Sequence, residues 1–505
     1  MPKKFRIFLI IFFTLAFIVT APPLIFYAKG YQFDFKTHRL TKTGNLFVDS
    51  YPRDALVVVN GKTSIEHHWY DSLLFYKDIF GMVKRQGTTA SLISNILPGQ
   101  YSVEVKKNSY HSWNKKVDIN PNQTTSFQFI QLFLDSPQPV WLDEGKIVNR
   151  WSSPNKDKII YQINPDSSKS SQQFKLFITE KESLISLEKL TNIGKINFVS
   201  FAPNAKSILF SAEKDKKNTY FVFDWAEKKL INLNQEFVKF NFIAFDKQKN
   251  TVNIKWAKNL PNTVLSKLDN TVYSMNLSDN KMSVFFQANN PFTDWLESSE
   301  TIEILTMRQK KLFLEKYWLN KKNNRQNILT AQQELPNFPF IFSKIQPLSN
   351  SRFLTNKAKK EFMILSPNSL GQLSVSTNIQ ASELLPFASR NNYFYYNDHE
   401  LQILDISGDN PEQNPFKREI INRLSPIISD ASLYPTQNYL LYITADTSSQ
   451  QNQVFLLEID NRGGTNNHLI FLSEKIYTCL ADSNSYLFCL GKAENKEGFF
   501  KLKIQ

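Results

Sequence analysis

The sequence predicts a mainly β chain with one N-terminal transmembrane helix, a small β domain and a long body of repeated strands. Three observations predict it. Residues 7–28 are 22 residues without a charge. Apolar residues elsewhere fall in short runs separated by Asn, Ser, Asp, Lys and Pro, the rhythm of strands rather than long helices. Aromatic segments followed by proline recur, as at Trp151 and Phe201, at the period of a repeat architecture. At 505 residues the chain is too long for one core, so two or three folded units are expected.

The run from Ile7 to Ala28, at 1.5 Å per residue, reaches about the 30 Å of a hydrocarbon core. Ile7, Phe12, Phe17 and Ile25 are its anchor side chains. Pro22 and Pro23 are expected to kink the helix or end its regular part. A cleaved secretory signal shares the basic start and apolar middle. It fits less well, because a cut after Ala21 would put Pro22 just beyond it, and the apolar run continues through Leu24-Ile25-Phe26-Tyr27. Lys3, Lys4 and Arg6 crowd the near side, while Lys29, Lys36, Arg39 and Lys42 lie beyond. Long downstream domains translocate largely regardless of charge. The expected layout is therefore a cytoplasmic tail (1–6), a single-pass helix (7–28), a juxtamembrane linker (29–43) and an extracytoplasmic body anchored in the cytoplasmic membrane.

The net charge of +14 would suit a nucleic-acid binder until it is located. Residues 1–43 carry seven basic groups against Asp34 (+6) and residues 44–135 nine against eight (+1), leaving +7 thinly spread over the last 370 residues. A nucleic-acid site concentrates charge on one element, so no nucleic-acid partner is expected. The basic flanks of the anchor suit anionic lipid headgroups.

In residues 44–135, Leu46-Phe47-Val48, the turn Tyr51-Pro52-Arg53-Asp54, the strand Ala55 to Val59 and Asn60-Gly61 read as strands joined by turns. Leu97-Pro98-Gly99-Gln100, the alternating Tyr101 to Lys107, and strands at Lys115 to Ile119 and Thr124 to Leu134 follow. These residues resemble the PEGA domain, a small β-sandwich of bacterial and archaeal surface proteins. Gly44, Leu46, Val48, Ser50, Pro52, Ala55, Val57, Val59, Asn60, Gly61, Leu97, Pro98, Gly99, Tyr101, Val103, Val105 and Tyr110 stand at its hallmark positions. Arg53-Asp54 replaces the name-giving Glu-Gly and Ser109 replaces a glycine, so both turns must accept a side chain. The resemblance implies turns and core, and no catalytic residue. An insertion, Glu66 to Gly87, carries Trp69, Leu73, Tyr76, Phe80 and Val83 at steps that place all five on one face of a helix. Asp71 or Ser72 can cap its start. The stripe either packs on the rest of the chain or receives the membrane or a partner.

In residues 136–505, Trp151 to Tyr161, Phe201 to Phe210 and Leu433 to Tyr442 line up, each an aromatic or apolar residue, then Pro, a polar turn and an apolar strand. Each leads to a second strand, Phe174 to Ile178, Thr219 to Asp224 and Val454 to Asp460, and fainter copies begin near Phe245 and Tyr393. The unit resembles TolB-like and WD-type repeats, without their usual Asp-Gly turn. That resemblance implies a β-propeller, and about 48 residues per blade implies seven or eight blades; seven is the expectation. Residues 138–149 should pair with the last strands, Tyr486 to Leu490 and Phe499 to Ile504, and close the ring.

The two cysteines, Cys479 and Cys489, flank the turn-like stretch Ala481 to Ser485. Two small core residues is the expected reading and a cross-strand disulfide the alternative. No GxSxG, P-loop, HExxH or EF-hand pattern occurs, and of six histidines only His67 and His68 are adjacent. Asp143, Glu144, Asp224 and Asp460 sit at turns and strand ends, where carboxylates bond backbone rather than hydrolyse glycosides. Neither enzymatic activity, cofactor nor metal is expected. The sequence thus points to a membrane-anchored binding or scaffold protein of the cell envelope, its propeller presenting a face to an envelope protein or cell-wall glycan. The alternative is an envelope hydrolase with catalytic residues on propeller loops.

Overall fold

The computed structural model describes residues 3–505 except 35–36, 64–87, 154–155, 165–172, 188–189, 191–192, 204–205, 215–216, 240–253, 259, 261, 269, 298–299, 309–310, 320–327, 336–344, 348–352, 359, 368–372, 388–390, 408–415, 447–450 and 484. The expected helix at Trp69 to Val83, and His67 and His68, lie outside the described residues.

Helix α1 spans Lys3–Ala28. It runs through Pro22 and Pro23 to Ala28 instead of stopping at them. Thr14 and Thr20 donate their hydroxyls to the carbonyls of Ile10 and Ala16, 2.8 Å away, so both polar groups are satisfied within the helix, as an apolar surrounding demands. A two-stranded hairpin follows, β1 (Tyr31–Asp34) and β2 (Arg39–Lys42).

The small domain has strands β3 (Gly44–Tyr51), β4 (Leu56–Val59), β5 (Lys62–Thr63), β6 (Ser91–Ile96), β7 (Gly99–Lys106), β8 (Trp113–Ile119) and β9 (Thr124–Gln131). They form two sheets, ordered β6-β3-β9 and β5-β4-β7-β8. Strand alternation buries one face of each, and Leu46, Val48, Val57, Val103, Val105 and Trp113 meet between them. Asn60 and Gly61 both take positive φ, 50° and 75°, at the hairpin the Asn-Gly signal marks. Asp54 and Ser109, which stand in for glycines, adopt φ of 62° and 67°, so both turns do hold a side chain in the left-handed region.

Beyond residue 138 the described residues form eight four-stranded antiparallel sheets, one more than expected. Their innermost strands begin at residues 146, 195, 254, 292, 345, 383, 427 and 475; we number blades 1 to 8 accordingly. The spacing ranges from 38 residues (254 to 292) to 59 (195 to 254). Two blades, starting at 254 and 345, run only 38 residues to the start of the next, which a uniform division at about 48 residues overlooks. The sheets form a ring because apolar clusters bridge successive pairs: Phe174 and Phe210 join blades 1 and 2, Val222 and Val264 blades 2 and 3. Phe177 with Phe488 and Phe499 closes blade 8 on blade 1.

Closure uses one strand, Pro139–Glu144, which pairs with Lys496–Lys503 as the outer strand of blade 8. The expected closing segment breaks at Gly145, and Lys146–Ser152 instead opens blade 1. Cys479 and Cys489 face each other across neighbouring strands of blade 8 and are disulfide-bonded, correcting the reading of two separate thiols.

The repeat corner is the same in each copy. Ser153, Ala202 and Tyr434 each donate a backbone N–H to the carbonyl of the first residue of the next strand, Lys158, Ser207 and Tyr439, at 2.9 Å. Pro203 and Pro435 therefore occupy one place on different blades. Ala257 makes the bond to Thr263 at 3.0 Å, which sets the corner of blade 3 after Trp256 rather than near Phe245. Outer strands of six blades carry a register shift; such bulges twist an exposed edge away from pairing with another chain.

Candidate functional site

Three features outside the packed cores have functional geometry: the apolar helix, the joint between sandwich and propeller, and a cavity at the other end of the propeller.

From Phe5 to Phe26, α1 has a mean hydropathy of 2.4 with none of that window buried. Ile7, Phe12, Phe17 and Ile25 are 57, 55, 70 and 55 % exposed. No soluble element of the described chain covers this surface, whose length and composition suffice to cross a membrane. The helix is tied to the sandwich: the carbonyl of Gly30 accepts both the backbone N–H and the hydroxyl of Thr43 at 2.8 Å.

The sandwich docks through β8. Strand alternation sets Trp113, Lys115, Val117 and Ile119 on its buried face, and the lysine among these apolar residues finds its partners on blade 7. Trp113 donates its indole N–H to both carboxylate oxygens of Glu458 at 3.1 Å. The fully buried Lys115 ammonium lies 3.2 Å from Glu458 and 3.7 Å from Asp460, and donates to the Asp460 carbonyl. Asn466 completes the ring, donating to Glu458 at 2.7 Å while its oxygen accepts the Asn114 N–H at 2.8 Å. Lys116 donates to the Gly463 carbonyl at 2.9 Å, and Gly463, at φ 68°, leaves no room for a side chain: a Cβ would stand 1.8 Å from the Lys116 carbonyl oxygen.

Two histidines far apart in sequence stack in the same joint. His111 and His468 have ring centroids 5.2 Å apart at 27°, with Phe133 6.0 Å from His468. Burial pushes the His468 imidazole down to about 4, and the neighbouring His111 adds to the effect. Beside them a cleft of about 330 Å³ runs between β9 and blade 7, from Phe127 and Phe129 to Tyr439, Asp460 and Arg462.

These blade 7 contacts come from the loops joining its first to second and third to fourth strands and from the strand ends beside them. A cavity of about 500 Å³ lies on the opposite end, at loops of blades 5 and 6 that join second to third strands and consecutive blades. Lys360 pairs with Asp398 at 2.6 Å and Arg423 with Glu400 at 2.7 Å. Asn397 holds the loop by accepting the N–H groups of His399 and Glu400 at 2.9 and 2.8 Å. The lining is mostly polar and charged, with no Phe, Tyr or Trp among the described residues.

Of the carboxylates singled out in the sequence, Asp224 and Asp460 do accept backbone N–H groups, from Ala226 at 2.9 Å and Arg462 at 3.0 Å. Asp143 instead accepts Tyr161 at 2.9 Å and Lys175 at 2.6 Å, and Glu144 takes Lys496 at 2.8 Å. Among the described residues no group of three or more His, Cys, Asp and Glu side chains could hold a metal ion. Glu458, Lys115 and His468 are the joint residues that sequence reasoning missed. Lys115 carried a usable signal, a charge at an apolar-face position of an alternating strand.

Comparison with known proteins decides the identity of part of the sandwich. Residues 84–131 match the PEGA domain. The matched segment covers β6 to β9, and β3 and β4 complete the PEGA sheets from upstream. No curated protein sequence matches the chain. Among solved structures, the C-terminal WD40 domain of Sif2 is similar at 10 % identity and a TM-score of 0.42, covering 73 % of this chain and 99 % of that one. Sqt1 of Chaetomium thermophilum is similar at 10 % identity and 0.41, covering 73 % and 97 %. Dipeptidyl peptidase 4 of Porphyromonas gingivalis is similar at 10 % identity and 0.40, covering 68 % and 56 %.

Proposed function

We propose that this chain is a membrane-anchored, extracytoplasmic binding or scaffold protein of the cell envelope. The observation that carries the reading is the uncovered apolar helix from Phe5 to Phe26, tied through Gly30 and Thr43 to a PEGA sandwich that docks on one end of the propeller. In this reading residues 1–6 are cytoplasmic, 7–28 cross the membrane, 29–43 adjoin it, and 44–135 hold the propeller of 136–505 with its other end facing away. The Cys479–Cys489 disulfide supports placing the body outside, because such bonds persist in oxidising compartments and are rare in the cytosol.

The polar cavity between blades 5 and 6 suits an envelope protein or a cell-wall glycan more than an apolar ligand. Binding is favoured over hydrolysis because the Asp398 and Glu400 carboxylates are each engaged by a cation, Lys360 and Arg423, rather than standing free as the acid and base that glycoside hydrolysis needs. The test is cross-linking in intact membranes followed by recovery of the chain with its partners. Asp398→Arg with Arg423→Glu should lose the captured partner at an unchanged melting temperature. Equal capture by the variant would remove this face from the reading. Protease added outside spheroplasts should digest the body; protection would reverse the orientation.

A further inference from the structure

The juxtamembrane segment 29–43 forms an amphipathic hairpin whose apolar face is partly exposed. In the antiparallel register Tyr31 faces Lys42 and Phe33 faces Leu40, and opposite residues in such a pair, with their neighbours two along, share a side of the ribbon. Tyr31, Phe33, Leu40 and Lys42 therefore form one face, and Gln32, Asp34, Arg39 and Thr41 the other. Phe33 is 42 % and Leu40 52 % exposed. The strands pair only with each other, and a lone two-stranded hairpin is marginal in water unless a face is covered.

The apolar face continues the surface of the anchor. Phe26, in the last turn of α1, is itself 41 % exposed and stands edge-on to Tyr31 at 5.9 Å. The chain turns between them at Gly30, whose φ of 76° glycine adopts without strain. Thr43 donates to the same Gly30 carbonyl and closes the base of the hairpin where the chain leaves the helix. Lys42 reaches over the Tyr31 ring at 5.6 Å. In residues 29–43 Lys29, Lys36, Arg39 and Lys42 stand against the single acid Asp34.

We propose that the β1–β2 hairpin lies on the membrane surface where α1 emerges, with Phe33 and Leu40 set into the interface and the Lys29 and Lys42 side chains on anionic phospholipid headgroups. This rests on α1 being a membrane span. An apolar face flanked by cationic side chains is the chemistry of an interfacial segment, and aromatic rings at the headgroup level match that position. A peripheral contact of this kind would fix the distance and tilt of the PEGA sandwich above the bilayer, which a flexible tether would leave free.

The test is hydrogen exchange on the full chain in phosphatidylcholine nanodiscs with and without phosphatidylglycerol. Amides of residues 30–43 should exchange about fivefold more slowly when the anionic lipid is present, the effect of one basic side chain at an anionic surface. Phe33→Asp with Leu40→Asp should abolish the slowing, while exchange elsewhere shows the rest of the fold intact. A second variant, Lys29→Glu with Lys42→Glu, should remove the dependence on phosphatidylglycerol. Equal exchange in both discs overturns the hairpin contact while the anchor stands, provided the chain resists alkaline extraction from the discs. Extraction by carbonate overturns both.

Discussion

The Trp113 indole of the PEGA sandwich donates to the Glu458 carboxylate of blade 7 across 345 residues of sequence. Glu458 ends the third strand of its blade, where the equivalent Asp224 of blade 2 steadies its own turn and accepts the Ser207 hydroxyl within the same blade. One methylene longer, Glu458 serves the neighbouring domain. Its removal leaves the buried Lys115 with Asp460 alone and takes the acceptor from the Trp113 indole and the Asn466 amide, and a buried donor left unsatisfied costs about 1–3 kcal/mol. Glu458→Ala should therefore lower the unfolding midpoint in urea and expose Trp113 fluorescence to quencher, while Glu458→Gln, which keeps the Trp113 and Asn466 bonds, should lie between. A midpoint unchanged by Glu458→Ala would mean the joint adds nothing to stability.

The joint should also weaken in acid. His468 is held down to about 4 in the folded chain, against about 6.5 when unfolded. Between those values the unfolded state binds more protons, so stability is full above about pH 6.5 and falls as pH drops towards 4, by about 3 kcal/mol at most. His111 and Phe133 face the ring, and no carboxylate is bonded to it among the described residues. Urea midpoints measured from pH 7 to 4 should fall for the native chain and fall less for His468→Gln. Parallel curves would assign the acid sensitivity elsewhere.

The stripe Trp69, Leu73, Tyr76, Phe80 and Val83 is expected to form a helix face left partly open by the rest of the chain. Leu73→Asp with Phe80→Asp should leave the melting temperature nearly unchanged and weaken association with membranes or a partner. A large loss of stability with association intact would show the stripe to be core.

Much of the architecture was legible because it is local. Asn60-Gly61, the corners at Pro203 and Pro435, and the alternating strands of the PEGA segment each specify their own conformation within a few residues. The eighth blade was hidden because the blades starting at 254 and 345 run only 38 residues to the next, and the corner of blade 3 was harder to place because its proline stands at 261, away from Trp256-Ala257. The disulfide depended on a register that places Cys479 opposite Cys489, which spacing alone does not fix. The joint was least legible, since Glu458 meets β8 and His468 meets His111 across 345 residues of sequence or more; Lys115 alone, breaking the apolar alternation of its strand, announced that something charged must arrive there.

The central claim, an uncleaved membrane anchor, is tested most directly by peptide mapping and N-terminal sequencing of the protein recovered from carbonate-washed native membranes. The account requires peptides covering Ile7 to Ala28 in the mature protein. A mature N-terminus at or after Pro22 would contradict it and make the segment a secretory signal.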